Sequence, residues 1–308
     1  MRTNLADFLQ NKFLNSWYLF WLITLAISTV MVFSMVGMEL SSVRAVSSMI
    51  QLSVRCAVPL LFVAFAASSV NVLFPGLFGR WILKNRKFIG LSFAAAMAWQ
   101  LFFILWMITQ HTEYYVEEVY ALSDLIEGVG GYLLLTGMVL TSFNLGRSRL
   151  SPKQWKFLHW VGIYWLWIYA WIAYWWQLFY YNEPVPLDYF YYWAGFLAWG
   201  LRMAAWTKKR WPKEIGQSTA ADIRQLLYLL PGVAAVAMGL VGISFGSPWG
   251  KQIYEFAFNV PVLNTTGVYT PFFPFVPCFP MFLMMFGACL IVKSKGKPVK
   301  GARFILST

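Results

Sequence analysis

Two histidines, His111 and His159, are the side chains in this 308-residue chain that are best suited to bind a metal or a haem iron. A zinc site or a nucleophilic dyad would need further histidine, cysteine or carboxylate groups at short spacing. The three cysteines, Cys56, Cys278 and Cys289, lie far apart in or beside apolar runs, which is typical of buried packing residues. The sequence therefore predicts neither catalytic residues nor a metal site.

Aromatic residues form the second chemically suggestive pattern. Four of them recur at steps of three and four residues, which predicts one aromatic helix face. They are Trp160, Tyr164, Trp167 and Trp171. Large rings on one face either fill volume inside a helix bundle or line a slot for a quinone, a carotenoid or a lipid tail. Filled volume is the commoner outcome, and the slot is the alternative that these residues leave open.

A third pattern is a group of acidic residues between apolar runs. It consists of Glu113, Glu117, Glu118, Asp124 and Glu127. Such a group usually forms a solvated loop, although it also fits a bound cation, a basic partner or the rim of a lipid-acting active site. The chain contains no glycine-rich phosphate-binding motif to support nucleotide chemistry. We therefore do not expect an enzyme acting on its own, and a membrane enzyme acting on a lipid is an alternative.

The elements that must position these residues are membrane helices. Hydrophobic residues make up 59% of the chain and charged residues only 12%, about half the charged fraction of a soluble protein. This composition excludes a soluble enzyme, a disordered tail and a secreted disulfide scaffold. Eight uncharged apolar runs occur, at 17–38, 56–78, 88–110, 128–146, 157–182, 189–201, 226–245 and 276–292.

A spanning helix needs about 20 apolar residues, a length that most of these runs reach or approach. The run at 189–201 reaches it only if Arg202 snorkels and the helix continues to Trp206. Prolines weaken the prediction for the last two runs, through Pro231 in one and a proline-rich entry to the other. The sequence thus predicts an all-α polytopic membrane helix bundle with about eight transmembrane helices.

The basic residues predict how this bundle is oriented. With a cytoplasmic N-terminus, 21 of the 24 Lys and Arg residues fall in cytoplasmic segments, which leaves Arg44, Arg55 and Lys251 outside. Cationic loops stay on the cytoplasmic side of a membrane, so both termini are predicted to be cytoplasmic. The net charge of +12 is then a topology signal and a contact for membrane lipids, not a nucleic-acid surface.

Several short motifs occur in order between residues 74 and 206. They are Trp81-x-x-x-Asn85-Arg86-Lys87-Phe88-Ile89-Gly90-Leu91, Thr141-Ser142-Phe143-Asn144, Arg149-Leu150-Ser151, and Trp155-Lys156-Phe157-Leu158-His159 followed by Tyr164. This combination resembles the ferric-reductase-like transmembrane family, most closely the haem-binding membrane subunits of the periplasmic methionine-sulfoxide reductase system. The resemblance covers about six helices, roughly at 17–206, and residues 207–308 have no counterpart in it.

The resemblance implies haem b held in the bundle by histidines on facing helices. Of the ligand positions that it implies, only His159 carries a histidine. The position on the third helix falls on Gln100, and another on the fifth helix falls on Ile172 or Ala173. A glutamine amide is a poor iron ligand, and an alkyl side chain is none. We therefore expect no cofactor, with His159 hydrogen-bonded to a neighbour, and one haem b bound through His159 is the alternative.

These expectations divide the chain into three regions. Residues 1–16 are a cytoplasmic leader, residues 17–206 the ferric-reductase-like transmembrane core, and residues 207–308 a basic loop, two helices, an aromatic outer loop and a basic tail. The predicted function is a non-catalytic accessory or scaffold subunit, or a lipid or isoprenoid binder, of the bacterial inner membrane. Its expected partners are membrane lipids and other membrane proteins, and electron transfer through haem b is the alternative.

Overall fold

The computed structural model describes residues 2–120, 122–179, 184–211, 223–246, 259 and 276–294. Within these residues the chain is almost entirely helical and forms no strand, which confirms the all-α prediction. A short helix, Arg2–Gln10, comes first. The eight described helices of 19 residues or more are α1 (Ser16–Met35), α2 (Val43–Leu73), α3 (Leu77–Gln110), α4 (Leu122–Leu140), α5 (Pro152–Phe179), α6 (Pro186–Arg210), α7 (Ile223–Ser244) and α8 (Val276–Ser294). The predicted aromatic outer loop and basic tail lie almost entirely outside the described residues.

Each of the eight apolar runs corresponds to one of these helices, but two helices begin much earlier than their runs. α2 begins at Val43 rather than at 56, and α3 begins at Leu77 rather than at 88. Charged residues interrupt an apolar run without ending a helix, since Arg and Lys have high helix propensity. For the same reason α6 continues past Trp206 to Arg210. The apolar run at 189–201 reaches spanning length only with this continuation.

Five of the helices, α1, α2, α3, α7 and α8, are long and apolar enough to cross a membrane. α7 and α8 keep this length although Pro231 and Pro280 lie inside them, a placement that membrane helices tolerate. α5 and α6 are also long, with 28 and 25 residues, but they are rich in Trp and Tyr. Large apolar side chains such as Phe33, which is 73% exposed, face outward. These helices and their exposed apolar faces are those of an integral membrane protein.

The chain divides into two compact units, Met1–Leu201 and Arg202–Thr308. In the first unit α2 and α3 pack along each other, α1 packs on α3, and α4 packs on α5. Two buried apolar clusters hold the contacts of α1, α2 and α3 together, one around Leu19 and one around Phe103. The helices that surround the candidate site, α2 to α5, all belong to this unit.

A buried amide ties the chain before α1 to the start of α3. The fully buried Asn85 side chain accepts a hydrogen bond from the Ser16 backbone N–H at 2.9 Å and donates one to Asn15 Oδ1 at 3.1 Å. Nearby, the Trp81 indole N–H donates to the Leu14 carbonyl oxygen at 3.0 Å. These bonds hold the start of α1 against the start of α3.

The end of α4 and the start of α5 lie at this same end of the first unit. The Trp17 ring stacks on Phe143 with 6.2 Å between centroids, and the Lys87 ammonium lies 5.2 Å from the centre of the same ring. The Trp155 indole N–H donates to the Thr141 carbonyl oxygen at 3.1 Å. We call this region, where α1, α3 and α5 begin and α4 ends, the basic end, because residues predicted to be cytoplasmic cations, such as Lys87 and Arg147, lie here.

In the second unit α7 and α8 pack backbone against backbone. Three glycines allow this approach, Gly232 and Gly239 on α7 and Gly287 on α8. A β-carbon added at Gly287 would lie 2.5 Å from the Gly232 carbonyl oxygen, and one added at Gly232 would lie 2.9 Å from the Gly287 oxygen. Small residues at a helix contact are a general means of close packing between membrane helices.

Candidate functional site

A cavity of about 540 Å³ lies between α2, α3, α4 and α5 in the first unit, and we call it the α2–α5 cavity. Its volume is within the range of small-molecule sites, about 300–1,000 Å³. Its walls are mostly apolar, with a few polar side chains among them. The lining includes Ser47, Ile50 and Gln51 of α2; Met97, Gln100, Leu101, Ile104 and Ile108 of α3; Gly128, Gly131, Tyr132 and Leu135 of α4; and Trp165, Leu166 and Tyr169 of α5.

Glycines on α4 leave room for this cavity. A β-carbon at Gly128 would meet open space, and one at Gly131 would lie 3.7 Å from the Trp165 ring. Nearer the basic end the space between the same two helices is filled, because a β-carbon at Gly162 would overlap the Met138 side chain. The α2–α5 cavity therefore occupies the half of the α4–α5 contact that is farther from the basic end.

The start of α5 is set by its local sequence. Ser151 caps the helix in a reciprocal arrangement, in which its Oγ accepts from the Gln154 backbone N–H at 3.2 Å and its own N–H donates to Gln154 Oε1 at 2.9 Å. Pro152 follows at the first helical position, where its missing N–H costs no hydrogen bond. From this start, Trp165 and Tyr169 lie one turn apart and line the cavity.

A polar pair lies inside the cavity. The Tyr132 hydroxyl donates a hydrogen bond to Gln100 Oε1 at 2.8 Å, and the Met97 carbonyl oxygen lies 3.3 Å from the same hydroxyl. The Gln100 amide nitrogen makes no hydrogen bond within the described residues, so its two N–H groups are available to a ligand. The Tyr132 oxygen can accept while its proton is engaged. The pair therefore offers a neutral donor and a neutral acceptor in apolar surroundings.

His159, the retained histidine of the predicted haem site, lies away from this pair. Its Nε2 is 3.1 Å from Thr141 Oγ1, and its ring packs on Trp155 with 4.3 Å between centroids. Thr141 follows Tyr132, the hydrogen-bond partner of Gln100, by nine residues, which is about 13 Å along a helix axis. The structure therefore does not bring His159 and Gln100 together at one depth.

The predicted aromatic face of α5 packs against α2 and α6. The Trp167 indole N–H donates to the Gly195 carbonyl oxygen at 3.0 Å, and that of Trp171 donates to the Tyr192 oxygen at 3.2 Å. The Trp167 ring also stacks on Phe65, with 5.0 Å between centroids.

The remaining predicted residues of α5 differ in their environment. Tyr164 meets Phe65 edge to face with 5.1 Å between ring centroids, whereas Trp160 is 57% exposed. Ile172, the implied second ligand position on this helix, is buried. Neither the four predicted slot residues nor Ile172 lines the α2–α5 cavity, whose α5 wall is the neighbouring face with Trp165.

Of the residues that line this cavity, the sequence motifs indicate Gln100 but not Tyr132, Trp165 or Tyr169. The signal that was available is the glycine-rich stretch of α4 around Gly128 and Gly131, which is unusual for a helix that packs through its side chains. A helix wall without side chains leaves space that its neighbours must fill or enclose.

The acidic group and His111 lie toward the end of α3 that is away from the basic end. Glu113, Glu117 and Glu118 are exposed, whereas Glu127 lines the cavity and its backbone carbonyl oxygen accepts from the Trp165 indole N–H at 3.4 Å. The Asp124 side chain lies outside the described residues. The buried His111 Nε2 has no hydrogen-bond partner in the described part of the chain.

Comparison of the chain with family models, with curated proteins and with solved structures finds no match.

Proposed function

We propose that this protein holds a neutral lipid, of the isoprenoid or acyl type, in the α2–α5 cavity and acts as a non-catalytic accessory or scaffold subunit in a membrane. The observation that carries this proposal is the Gln100–Tyr132 pair inside an otherwise largely apolar cavity of about 540 Å³. Sites of this kind bind ligands whose surface is mainly apolar and whose few polar atoms set the orientation.

The shape of the cavity favours a chain-like ligand. Its α3 wall runs from Met97 to Ile108, about 16 Å along the helix axis, with Leu101, Ile104 and Leu105 between them. A hydrocarbon chain can lie along this wall. Because the surrounding bilayer is equally apolar, burial of the chain alone gives little affinity over free lipid. The polar pair must therefore supply most of the selectivity.

The chemistry of the pair favours a neutral head group with a carbonyl or hydroxyl oxygen. A carbonyl oxygen would accept from the Gln100 amide, and a hydroxyl would also donate to the Tyr132 oxygen. An anionic head group is disfavoured at this depth, because burial of its charge is costly and the charged residue among the lining residues, Glu127, is itself an acid. The rings of Trp165 and Tyr169 add flat apolar surface beside the pair.

The proposal is tested by filling the cavity and measuring the lipid that copurifies. Gly128→Leu places a side chain in the cavity without a backbone clash, because the space at this β-carbon is open. Gly90→Leu is the matched control, since its β-carbon also meets open space and Gly90 is not among the lining residues. Native mass spectrometry of the purified protein should show a bound neutral lipid in the wild type and in Gly90→Leu, and loss of most of it in Gly128→Leu. Equal lipid retention in all three proteins would contradict the proposal.

The polar pair has its own test. Gln100→Leu keeps the apolar volume but removes the amide donors, so affinity for a carbonyl-bearing lipid should fall about fivefold, which corresponds to one net hydrogen bond. Affinity for a pure hydrocarbon of similar length should stay the same. Competition between the two ligands, followed by native mass spectrometry of the bound species, measures the difference.

We propose that all eight helices cross the membrane and that the basic end and both termini face the cytoplasm. The meeting of the starts of α1, α3 and α5 with the end of α4 supports this, because helices that cross in turn must alternate in direction. Single cysteines at Lys297 and at Thr265, in a variant without the three native cysteines, should be labelled from opposite sides. Labelling of both from one side would contradict eight crossings.

We also propose that the relation to ferric-reductase-like proteins is one of fold, with the haem sites lost. Two contacts support it, the Gln100 bond to Tyr132 and the approach of His159 Nε2 to Thr141 Oγ1. In this proposal these polar contacts take the place of iron coordination. A stoichiometric b-type absorption spectrum of the purified protein would favour the electron-transfer alternative instead.

A further inference from the structure

Cations converge at the basic end around one turn of helix. This turn, Asn144–Arg147, joins α4 to α5 and begins after Phe143. The Lys87 ammonium lies 5.2 Å from the centre of the Phe143 ring. Arg147 lies at the other end of the turn, where its backbone N–H donates to the Phe143 carbonyl oxygen at 2.8 Å. Lys87 and Arg147 thus meet the same short turn, and we call these two residues the basic cluster.

Arg147 is held in position by neutral groups. One guanidinium nitrogen donates to the Leu150 carbonyl oxygen at 3.1 Å, and the guanidinium carbon lies 4.9 Å from the centre of the Trp155 ring. Trp155 is fixed in turn by its hydrogen bond to the Thr141 carbonyl and by packing on His159. A guanidinium carries five N–H donors, so most of them remain available in a preorganised geometry.

The positive charge of this cluster is not balanced by carboxylates that contact Lys87 or Arg147. Within the described residues both side chains contact aromatic rings and a carbonyl oxygen, and neither forms an ion pair. Rings and carbonyl groups stabilise a cation without neutralising it. An anion from outside the chain can therefore bind to Lys87 and Arg147 without displacing a carboxylate from either side chain.

Apolar side chains of the adjoining helix ends are exposed around the basic cluster. Leu140 at the end of α4 is 61% exposed, Phe157 at the start of α5 is 66% exposed, and Leu145 within the turn is 77% exposed. Cations beside exposed apolar groups at the end of membrane helices match the two parts of a phospholipid, its head group and its chains. A soluble anion would use the cations and leave the apolar groups unexplained.

We propose that the basic cluster binds the phosphodiester head group of an anionic phospholipid, with Arg147 making the directed hydrogen bonds and Lys87 adding charge. A guanidinium can bind two phosphate oxygens at once, whereas an ammonium acts as a point charge. The acyl chains would lie against Leu140 and Phe157. This site is separate from the α2–α5 cavity, and it does not depend on the function proposed for that cavity.

The experiment uses the full chain in nanodiscs of phosphatidylcholine, with phosphatidylglycerol added stepwise, and native mass spectrometry measures the bound phosphatidylglycerol. Arg147→Gln should weaken phosphatidylglycerol binding about tenfold, since it removes a charge-assisted bidentate contact. Arg147→Lys should bind phosphatidylglycerol with intermediate affinity, because lysine keeps the positive charge but cannot bind two phosphate oxygens in the way a guanidinium does. Lys87→Gln should weaken binding about threefold, as expected for a single point charge.

Arg149→Gln is the matched control, because Arg149 is an exposed cation two residues from Arg147 and outside the cluster. Its binding should equal that of the wild type. An equal loss in Arg149→Gln and Arg147→Gln would overturn the proposal, since net charge alone would then explain it. If millimolar inorganic phosphate displaces bound phosphatidylglycerol as effectively as added phosphatidylglycerol does, the site binds a soluble anion and the proposal is overturned. If Arg147→Gln does not fold in phosphatidylcholine, the phosphatidylglycerol affinity of Lys87→Gln tests the proposal instead. Lys87 is exposed and its described contacts are with aromatic rings, so this substitution should not prevent folding.

Discussion

Glycines on facing helices have opposite consequences in the two units of this protein. On α7 and α8, Gly232 and Gly287 face each other, and the two backbones come into contact. On α4, Gly131 faces the Trp165 ring of α5 at an ordinary distance, and Gly128 faces open space. A glycine brings helices together when its partner is also small, and it leaves a cavity when a large ring on the partner holds the helices apart.

The α4–α5 contact contains both situations along its length. Near the basic end, Gly162 receives the Met138 side chain and the helices are closed. Farther along, Gly131 and Gly128 border the α2–α5 cavity. Three glycine substitutions test whether this difference is set by the residue that faces each glycine, and a fourth substitution, at His159, tests another contact near the basic end. They are given from the largest expected effect to the smallest.

Gly287→Leu should have the largest effect. A β-carbon at this position would lie 2.5 Å from the Gly232 carbonyl oxygen, and backbone cannot move aside as a side chain can. The loss of stability should be about 3 kcal/mol or more, the upper range for an overpacked site. The midpoint of unfolding in detergent measures it, with Gly200→Leu as the control because its β-carbon meets open space. Equal midpoints for the two variants would show that α7 and α8 do not pack by backbone contact.

Gly162→Leu should have a smaller effect, about 1–2 kcal/mol of lost stability. The atom in the way is the Met138 sulfur, which lies on a flexible side chain. The double variant Gly162→Leu with Met138→Ala should recover most of the loss, since it restores the space. A double-mutant cycle with no coupling between the two positions would contradict direct contact at the closed half.

His159→Ala should cost about 1 kcal/mol, through its hydrogen-bonding approach to Thr141 and its packing on Trp155. The absorption spectrum should not change, because the wild type is expected to be colourless without a Soret band, even when expressed with excess haem precursor. Thr141→Val, which removes the other side of the same contact, should give a similar loss of stability. A Soret band that disappears in His159→Ala would show instead that this histidine binds haem.

Gly131→Ala should have the smallest effect, and of the opposite sign. Its β-carbon would make ordinary contacts at 3.7–3.8 Å with Trp165 and Leu166, and alanine is favoured over glycine inside a helix. Stability should rise by about 0.5–1 kcal/mol, measured by the same unfolding midpoint. A loss of stability would show that the wall of the cavity is already tightly packed.

The sequence by itself determined the helices of this protein, because membrane burial forces a long apolar run wherever a helix crosses. All eight runs correspond to helices in the described structure. It placed the starts of α2 and α3 too late, since Arg55 and Lys84 lie inside helices whose apolar runs they interrupt. The direction of the error follows from physics, because charge limits burial in lipid but does not limit helix formation.

Only the tertiary structure decided which faces of these helices meet. The aromatic periodicity of α5 predicted the face with Trp167 and Trp171, which is packed against α2 and α6, whereas the neighbouring face with Trp165 lines the α2–α5 cavity. Tyr132 became a site residue only through its bond to Gln100, 32 positions away in the chain. An apolar helix in lipid is apolar on every side, so its sequence carries little information about which side faces a neighbour.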